Sequence, residues 1–229
     1  MKDLVRTGLI WAVACLLAAL AVIVFAALVL PVDQPIPIHW NSQGAADRFA
    51  DRMTALMVLA APAGILLLTN ILLAIVPFIS PRPENILKSS RIYLVTWAGS
   101  NLLVLGVTAL IAFAMVGGAE TGATPVIIPV ILSSLCIFLI AIGNYLPKSS
   151  ANWFVGVRTP WTLSSDYTWA RTHRLAGWLF VLAGIAGLPF ALMGDTPFRQ
   201  ILVVPLASVA AIVSIVYSYV VWRNAPDRK

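Results

Sequence analysis

Residues 142–177 read IGNYLPKSSANWFVGVRTPWTLSSDYTWARTHRLAG, a polar, tryptophan-bearing stretch between two apolar runs. Asn152, Arg158, Thr159, Trp161, Thr162, Thr172 and His173 crowd into it. Mixed polar and aromatic groups at that density suit the binding or docking of a partner, for which arginine and tryptophan are frequent anchors. Acid–base catalysis through His173 and Asp166 ranks last, because seven residues of helix set the pair about 10 Å apart along its axis. The plainest reading is an amphipathic helical extension in which Arg171 and Arg174 anchor a membrane helix. A second polar segment, 31–52, reads PVDQPIPIHWNSQGAADRFADR and holds His39 and Asp47. One histidine beside one carboxylate falls short of a metal set, so a hydrogen-bonded loop histidine is expected. Neither a metal nor a cofactor is implied.

The elements that must carry these segments are membrane helices. Hydrophobic residues make up 60% of the chain and charged ones 10%, against about 25% charged in soluble domains. A bilayer core of about 30 Å needs roughly 20 apolar residues as a helix. Six stretches qualify, near 8–30, 54–79, 92–116, 124–146, 175–194 and 198–222. The first is too long for a signal-peptide core and has no small-residue cleavage site after it, so it is expected to be retained. The fold class expected is all-α, a polytopic membrane bundle of six transmembrane helices. It divides into residues 1–80 (a helical hairpin with its outer loop), 81–123 (a connecting third helix) and 124–229 (the region of the long inner loop).

With the N-terminus in the cytoplasm, 12 of the 15 lysines and arginines fall inside, leaving Arg48, Arg52 and Arg199 outside. The positive-inside rule therefore predicts two cytoplasmic termini and a cytoplasmic 142–177 loop. The same bias accounts for the net charge of +6 without nucleic acid as a partner. Apart from Arg199 at the outer edge of the last span, the spans carry no Asp, Glu, Lys, Arg or His. Ion-coupled transporters usually keep such groups at membrane depth. Asn70, Ser100, Asn101 and Asn144 read instead as interhelical hydrogen-bonding groups. Pro62, Pro77, Pro129, Pro189 and Pro205 read as kinks. Cys15 and Cys136 lie in apolar runs and read as buried free thiols.

In the outer loop, Pro35 and Pro37 impose an extended approach and residues 41–44 a turn. From Ala45 a helix is expected to run into the second span, with Asp47 in its first turn and Arg48 paired with Asp51. Trp40 reads as an interfacial anchor. In the inner loop Pro147 stops the fourth span, and Trp153, Phe154 and Trp161 are expected at headgroup level with Lys148 and Arg158. Thr159-Pro160 is an extended step. Ser164 or Ser165 then caps a helix that continues into the fifth span, with Asp166 in its first turn. Trp169, His173 and Gly177 share one face of it, and Tyr167, Arg171 and Arg174 another. Arg158, Trp161, Arg171 and His173 are expected to form a cationic and aromatic docking surface.

The inner loop closely resembles the SdpI family, immunity and signal-transducing membrane proteins of the sporulation-delaying-protein system. The family pattern GNY-x-P-K falls on Asn144, Pro147 and Lys148. N-x-x-x-G-[IV]-R-T-P-W-T-L falls on Asn152, Gly156, Arg158, Thr159, Pro160, Trp161 and Thr162. W-x-x-T-H-R-x-x-G falls on Trp169, Thr172, His173, Arg174 and Gly177. The outer loop resembles the N-terminal domain that often accompanies the family, I-P-x-H-W-N-x-x-G-x-x-D, at Ile36, Pro37, His39, Trp40, Asn41, Gly44 and Asp47. The resemblance implies a six-helix, non-enzymatic protein of the bacterial cytoplasmic membrane. It further implies protection against a secreted, membrane-active peptide toxin and, in some members, capture of a small ArsR-type transcriptional repressor at the membrane. A permease for a peptide or lipid-like molecule and a membrane-embedded enzyme are the other readings the sequence admits.

Overall fold

The computed structural model describes residues 1–41, 45–118, 127–193 and 202–228. Its elements run α1 (Lys2–Val29), β1 (Ile36–Trp40), β2 (Ala46–Ala50), α2 (Arg52–Ile79), α3 (Pro83–Lys88), α4 (Ser90–Phe113), α5 (Ile127–Tyr145), α6 (Pro160–Ser164), α7 (Asp166–Leu192) and α8 (Val203–Arg223). A π-helical turn, Ala114–Gly118, follows α4, and a 3-10 turn, Leu146–Lys148, follows α5. Six helices, α1, α2, α4, α5, α7 and α8, are long and apolar enough to cross a membrane. They fall on the six expected spans, of which residues 124–126, 194 and 198–201 lie outside the described residues. The helix carrying the fifth span starts already at Asp166, because Ser165 accepts a hydrogen bond from the Thr168 N–H and caps it.

Helices α1, α2 and α4 form one packed group, and α5, α7 and α8 another. The first is tied by polar side chains at membrane depth. Asn70 on α2 and Asn101 on α4 exchange amide hydrogen bonds of 3.1 and 2.9 Å, and the Trp97 indole N–H donates to Asn70 Oδ1 at 2.6 Å. The Tyr93 hydroxyl donates to the Leu73 carbonyl at 2.6 Å. Trp97 also packs against Gly8, where a Cβ would stand 2.2 Å from its ring, so α1 joins the same knot. Both asparagines are buried, as expected of interhelical hydrogen-bonding groups.

The second group is joined by backbone contact. A Cβ on Gly177 would lie 2.6 Å from the Gly143 carbonyl, and one on Gly184 2.6 Å from that of Cys136. Glycine there lets α5 and α7 approach until dispersion contacts hold them, the main attraction available between helices in lipid. Cys15 and Cys136 are buried free thiols.

The 36–50 segment departs from expectation. Instead of a helix starting near Ala45, β2 pairs antiparallel with β1, setting Ile36 opposite Ala50 and His39 opposite Arg48. Helix α2 begins only at Arg52, because its capping residue is Asp51. That carboxylate accepts from the Thr54 N–H at 3.0 Å and the Thr54 hydroxyl at 2.7 Å, bonds that hold it below the usual carboxylate pKa. Asp51 is thus committed to Thr54 and not to Arg48, and Asp47 serves a cross-strand contact instead of a helix dipole. Ile36 is the apolar peg of the hairpin, packing with Leu30, Leu59 and Met115. The Arg52 guanidinium donates to the Ala27 carbonyl of α1. Leu4 and Val5 cluster with Val76, Leu146 and Val155 at the opposite end of the bundle.

Asn70→Leu should leave the Trp97 N–H and one Asn101 group unpaired and destabilise the protein by about 1–2 kcal/mol. Asn70→Leu combined with Asn101→Leu should cost less than the sum of the two single changes. Thermal unfolding of the four variants in one detergent checks this, and strict additivity would show that the side chains act independently.

Candidate functional site

The loop between α5 and α7 is folded around its own polar side chains. Pro147 closes α5 in the 3-10 turn, and the Trp169 indole N–H donates to the Ser149 carbonyl at 3.0 Å. Asn152 organises the next turn. Its Oδ1 accepts from the N–H groups of Phe154 (2.9 Å) and Val155 (2.8 Å), and its amide donates to the Ser150 carbonyl at 2.9 Å. An asparagine side chain that mimics backbone in this way fixes a turn without regular structure around it.

The chain then passes over His173. Gly156 has φ of +118°, and a Cβ there would lie 2.2 Å from His173 Nε2. With no side chain in the way, the Val157 N–H donates to His173 Nε2 at 2.9 Å. A nitrogen that accepts from a backbone N–H carries no proton, so the proton sits on Nδ1, which donates to the Trp169 carbonyl at 2.9 Å. The Trp169 and His173 rings stack with centroids 3.9 Å apart. His173 is fully buried with both nitrogens engaged. It is therefore interior, and the expected docking surface loses that member. Saturation of both nitrogens also leaves none for acid–base work.

Thr159 and Thr162 form a reciprocal capping box that starts α6, and the Thr162 hydroxyl donates to the Val157 carbonyl at 2.8 Å. The extended step expected at Thr159-Pro160 thus holds for Thr159 alone, since Pro160 already opens a helix. Thr159 and Ser218 of α8 share a hydrogen bond of 3.1 Å. The Thr172 hydroxyl is buried among helices with no protein partner.

Contacts from distant sequence complete the scaffold. The Asp227 carboxylate accepts from the Ser165 hydroxyl at 2.5 Å and the Tyr167 N–H at 3.1 Å, which lowers its pKa from the ordinary value. Asn85 donates to the Ala151 carbonyl at 2.7 Å, and Ser89 Oγ accepts from the Ser150 N–H at 2.9 Å. Arg82 pairs with Asp166 at 3.6 Å. Asp227, Asn85 and Ser89 were not among the residues singled out from the sequence. Nothing local marks a serine or a tail aspartate whose partner lies some 60 residues away.

Four cations of the loop remain outward. Asn144, Lys148, Arg158, Arg171 and Arg174 are exposed, and the Arg158 guanidinium donates to the Trp153 carbonyl at 2.8 Å. Trp161 is half-buried against Tyr219 of α8. A cavity of about 430 Å³ lies under residues 154–159, with Ile142, Phe180 and Ile215 in its wall and Arg158 at its edge.

The hairpin cluster is separate and simpler. His39 Nδ1 and Asp47 Oδ1 are 2.6 Å apart across the strands, the hydrogen-bonded loop histidine expected. Asn41 Oδ1 accepts from the Ala45 N–H at 3.0 Å. Trp40 packs toward the Ile36 peg. Gly44 lies outside the described residues. Among the described residues, no three His, Cys, Asp or Glu converge on a metal-binding point.

These features define a multi-pass α-helical membrane protein with a locked loop at one end and a small hairpin at the other. Residues 148–218 match the SdpI/YfhL protein family, and residues 16–61 match a domain of unknown function, DUF1648. The immunity protein SdpI of Bacillus subtilis (strain 168) is 34% identical over 85 residues, covering 36% of this chain and 40% of that relative. The resemblance read from the loop motifs is thereby borne out over the loop and the two helices that follow it. No solved structure matches the chain.

His173→Ala should free the Val157 N–H, raising its hydrogen-exchange rate on the order of tenfold or more while the Asn152-bonded Val155 amide stays protected. Exchange mass spectrometry with fragment-level resolution in detergent reads both amides. Equal protection of Val157 in the variant would show that the imidazole does not hold the loop.

Proposed function

We propose that this chain is an immunity protein of the bacterial cytoplasmic membrane that protects its cell against a secreted, membrane-active peptide toxin. In the same proposal, it holds a small ArsR-type repressor at the cytoplasmic face when toxin is engaged. The observation that carries the reading is the loop itself. Most of its SdpI-like residues are spent on a rigid internal frame, while Arg158, beside Trp153, and Arg171 and Arg174 on α7 stay outward. A frame of that kind suits recognition more than turnover, and the matched relative is named for immunity.

The orientation proposed is the one the positive-inside rule favours, with the loop and both termini in the cytoplasm and the hairpin outside. The hairpin, with His39, Trp40 and Asp47, is then the toxin-facing element, and the loop is the repressor-facing one. Two observations weigh against the other readings. The Asn70–Asn101–Trp97 knot satisfies itself, so it does not resemble a substrate path. The engaged imidazole of His173 does not resemble a catalytic base.

In a host challenged with a membrane-active peptide toxin, expression of the chain should raise survival, and Asp47→Ala should reduce it at equal membrane abundance. Arg158→Glu with Arg171→Glu should abolish recovery of the repressor with membranes while survival is kept. Survival counts and membrane fractionation, each with and without toxin, are the measurements. Unchanged survival on expression would remove the immunity role, and a repressor that stays soluble in both conditions would remove the signalling role.

A further inference from the structure

The seam between α4 and α5 is tight where the Phe138 ring covers Gly99, but it opens around Gly106. A cavity of about 400 Å³ runs along it, walled by Gly99, Leu102 and Gly106 of α4 and by Ser134, Phe138 and Ala141 of α5. Among the described residues its one lining hydroxyl is turned back onto its own helix, since Ser134 donates to the Val130 carbonyl at 2.8 Å. A Cβ built on Gly106 meets nothing within 4 Å, so the protein leaves that part of the seam unfilled.

At one end of the seam is a second cavity of about 240 Å³, lined by Lys88, Ser89, Arg91, Tyr145 and Lys148. Arg91 and Val95 are four residues apart on α4, as are Ala141 and Tyr145 on α5, and Val95 and Ala141 line the apolar cavity. Residues at that spacing share a helix face. The basic cavity thus sits one turn beyond the apolar one, on the same two faces.

Three cations converge there from two separate stretches of chain, and among the described residues no carboxylate lines the cavity. Among the described residues none of the three forms an ion pair within 4 Å, and the nearest acid in sequence is Glu84, one turn before Lys88 on α3. Lys148 Nζ rests 5.1 Å from the Tyr145 ring centroid. The corner is held by the Ser89–Ser150 and Asn85–Ala151 hydrogen bonds, which join the start of α4 to the chain after α5.

We propose that this groove binds one anionic phospholipid. Its phosphate lies among Lys88, Arg91 and Lys148, and an acyl chain lies along Gly99, Gly106 and Phe138. Three cations with no carboxylate in contact, at the end of a membrane-spanning helix pair, call for an anion, and basic pockets between transmembrane helices take anionic headgroups. The apolar cavity directly below selects the occupant. A free phosphate ion fills the upper cavity only, whereas a phospholipid fills both. This inference is independent of the immunity and signalling reading.

The test is native mass spectrometry of the full chain in detergent, with equimolar dioleoyl phosphatidylglycerol and dioleoyl phosphatidylcholine. One phosphatidylglycerol should be retained with at least about tenfold preference. Lys148→Gln should lower that preference on the order of fivefold, and Lys88→Gln/Arg91→Gln/Lys148→Gln should bring it to parity. Arg91→Lys, which keeps the charge, should keep most of it. Gly106→Leu, which grows into space the fold leaves open, should weaken retention of both lipids without shifting thermal unfolding. Millimolar inorganic phosphate should not displace the lipid. Equal retention of both lipids by the unaltered chain would overturn the proposal, as would a preference that survives the triple change. Ready displacement by phosphate together with a silent Gly106→Leu would overturn it in favour of a simple anion site.

Discussion

The loop between α5 and α7 depends on one hydrogen bond, from the Val157 N–H to the unprotonated Nε2 of a buried histidine. A neutral imidazole away from water needs partners for both nitrogens. His173 finds one on its own helix, at the Trp169 carbonyl, and the other on the crossing chain. The crossing is close enough to exclude any Cβ at Gly156. The backbone bend there, with its positive φ, is a conformation glycine adopts without strain. Trp169 stacks on the imidazole and reaches Ser149 with its indole N–H, tying the start of the loop to its centre. Asn152 and the Thr159–Thr162 box then fix the segments on either side. In this arrangement the residues that make the loop recognisable are mostly the ones that shape it, and the exposed arginines are what the shape displays.

The two halves of the bundle hold together by different means. Around α2 and α4, amide groups and an indole satisfy one another within the apolar interior. Around α5 and α7, small residues bring backbones together and direct polar bonds are few. The α4–α5 seam between the halves packs closely at Gly99, under the Phe138 ring, but opens around Gly106, and the apolar cavity runs along it. Its basic end is pinned to the same loop frame through Ser89 and Asn85. The loop, the corner at α3 and α4, and the tail at Asp227 therefore form one connected polar layer at a single end of the bundle.

The spans were legible because length and hydropathy are cumulative over some 20 residues, and small local errors cancel. The Ser165 cap was legible because a capping serine acts on the N–H three residues on. The Asn70–Asn101 contact could be expected in kind, since buried amides in lipid seek each other. The hairpin was misread because both Asp47 and Asp51 offer a helix start, and the choice is made by a cross-strand partner, His39, that a local reading does not weigh. His173 was assigned to the surface for a related reason. Histidine and arginine alternate with tryptophan and threonine on α7, and only the crossing of Gly156 shows which face is covered. Asp227 was missed because its capping role spans 60 residues of chain.

The protonation site of His173 tests this picture most directly. With two histidines in the chain, a ¹⁵N-histidine-labelled sample gives a spectrum simple enough to assign by comparison with His39→Gln. His173 should show a protonated Nδ1 and an unprotonated, hydrogen-bond-accepting Nε2 at neutral pH, and Gly156→Ala should disturb that pattern. A His173 with its proton on Nε2 in the unaltered protein would contradict the locked loop, because the Val157 N–H would then have no acceptor there.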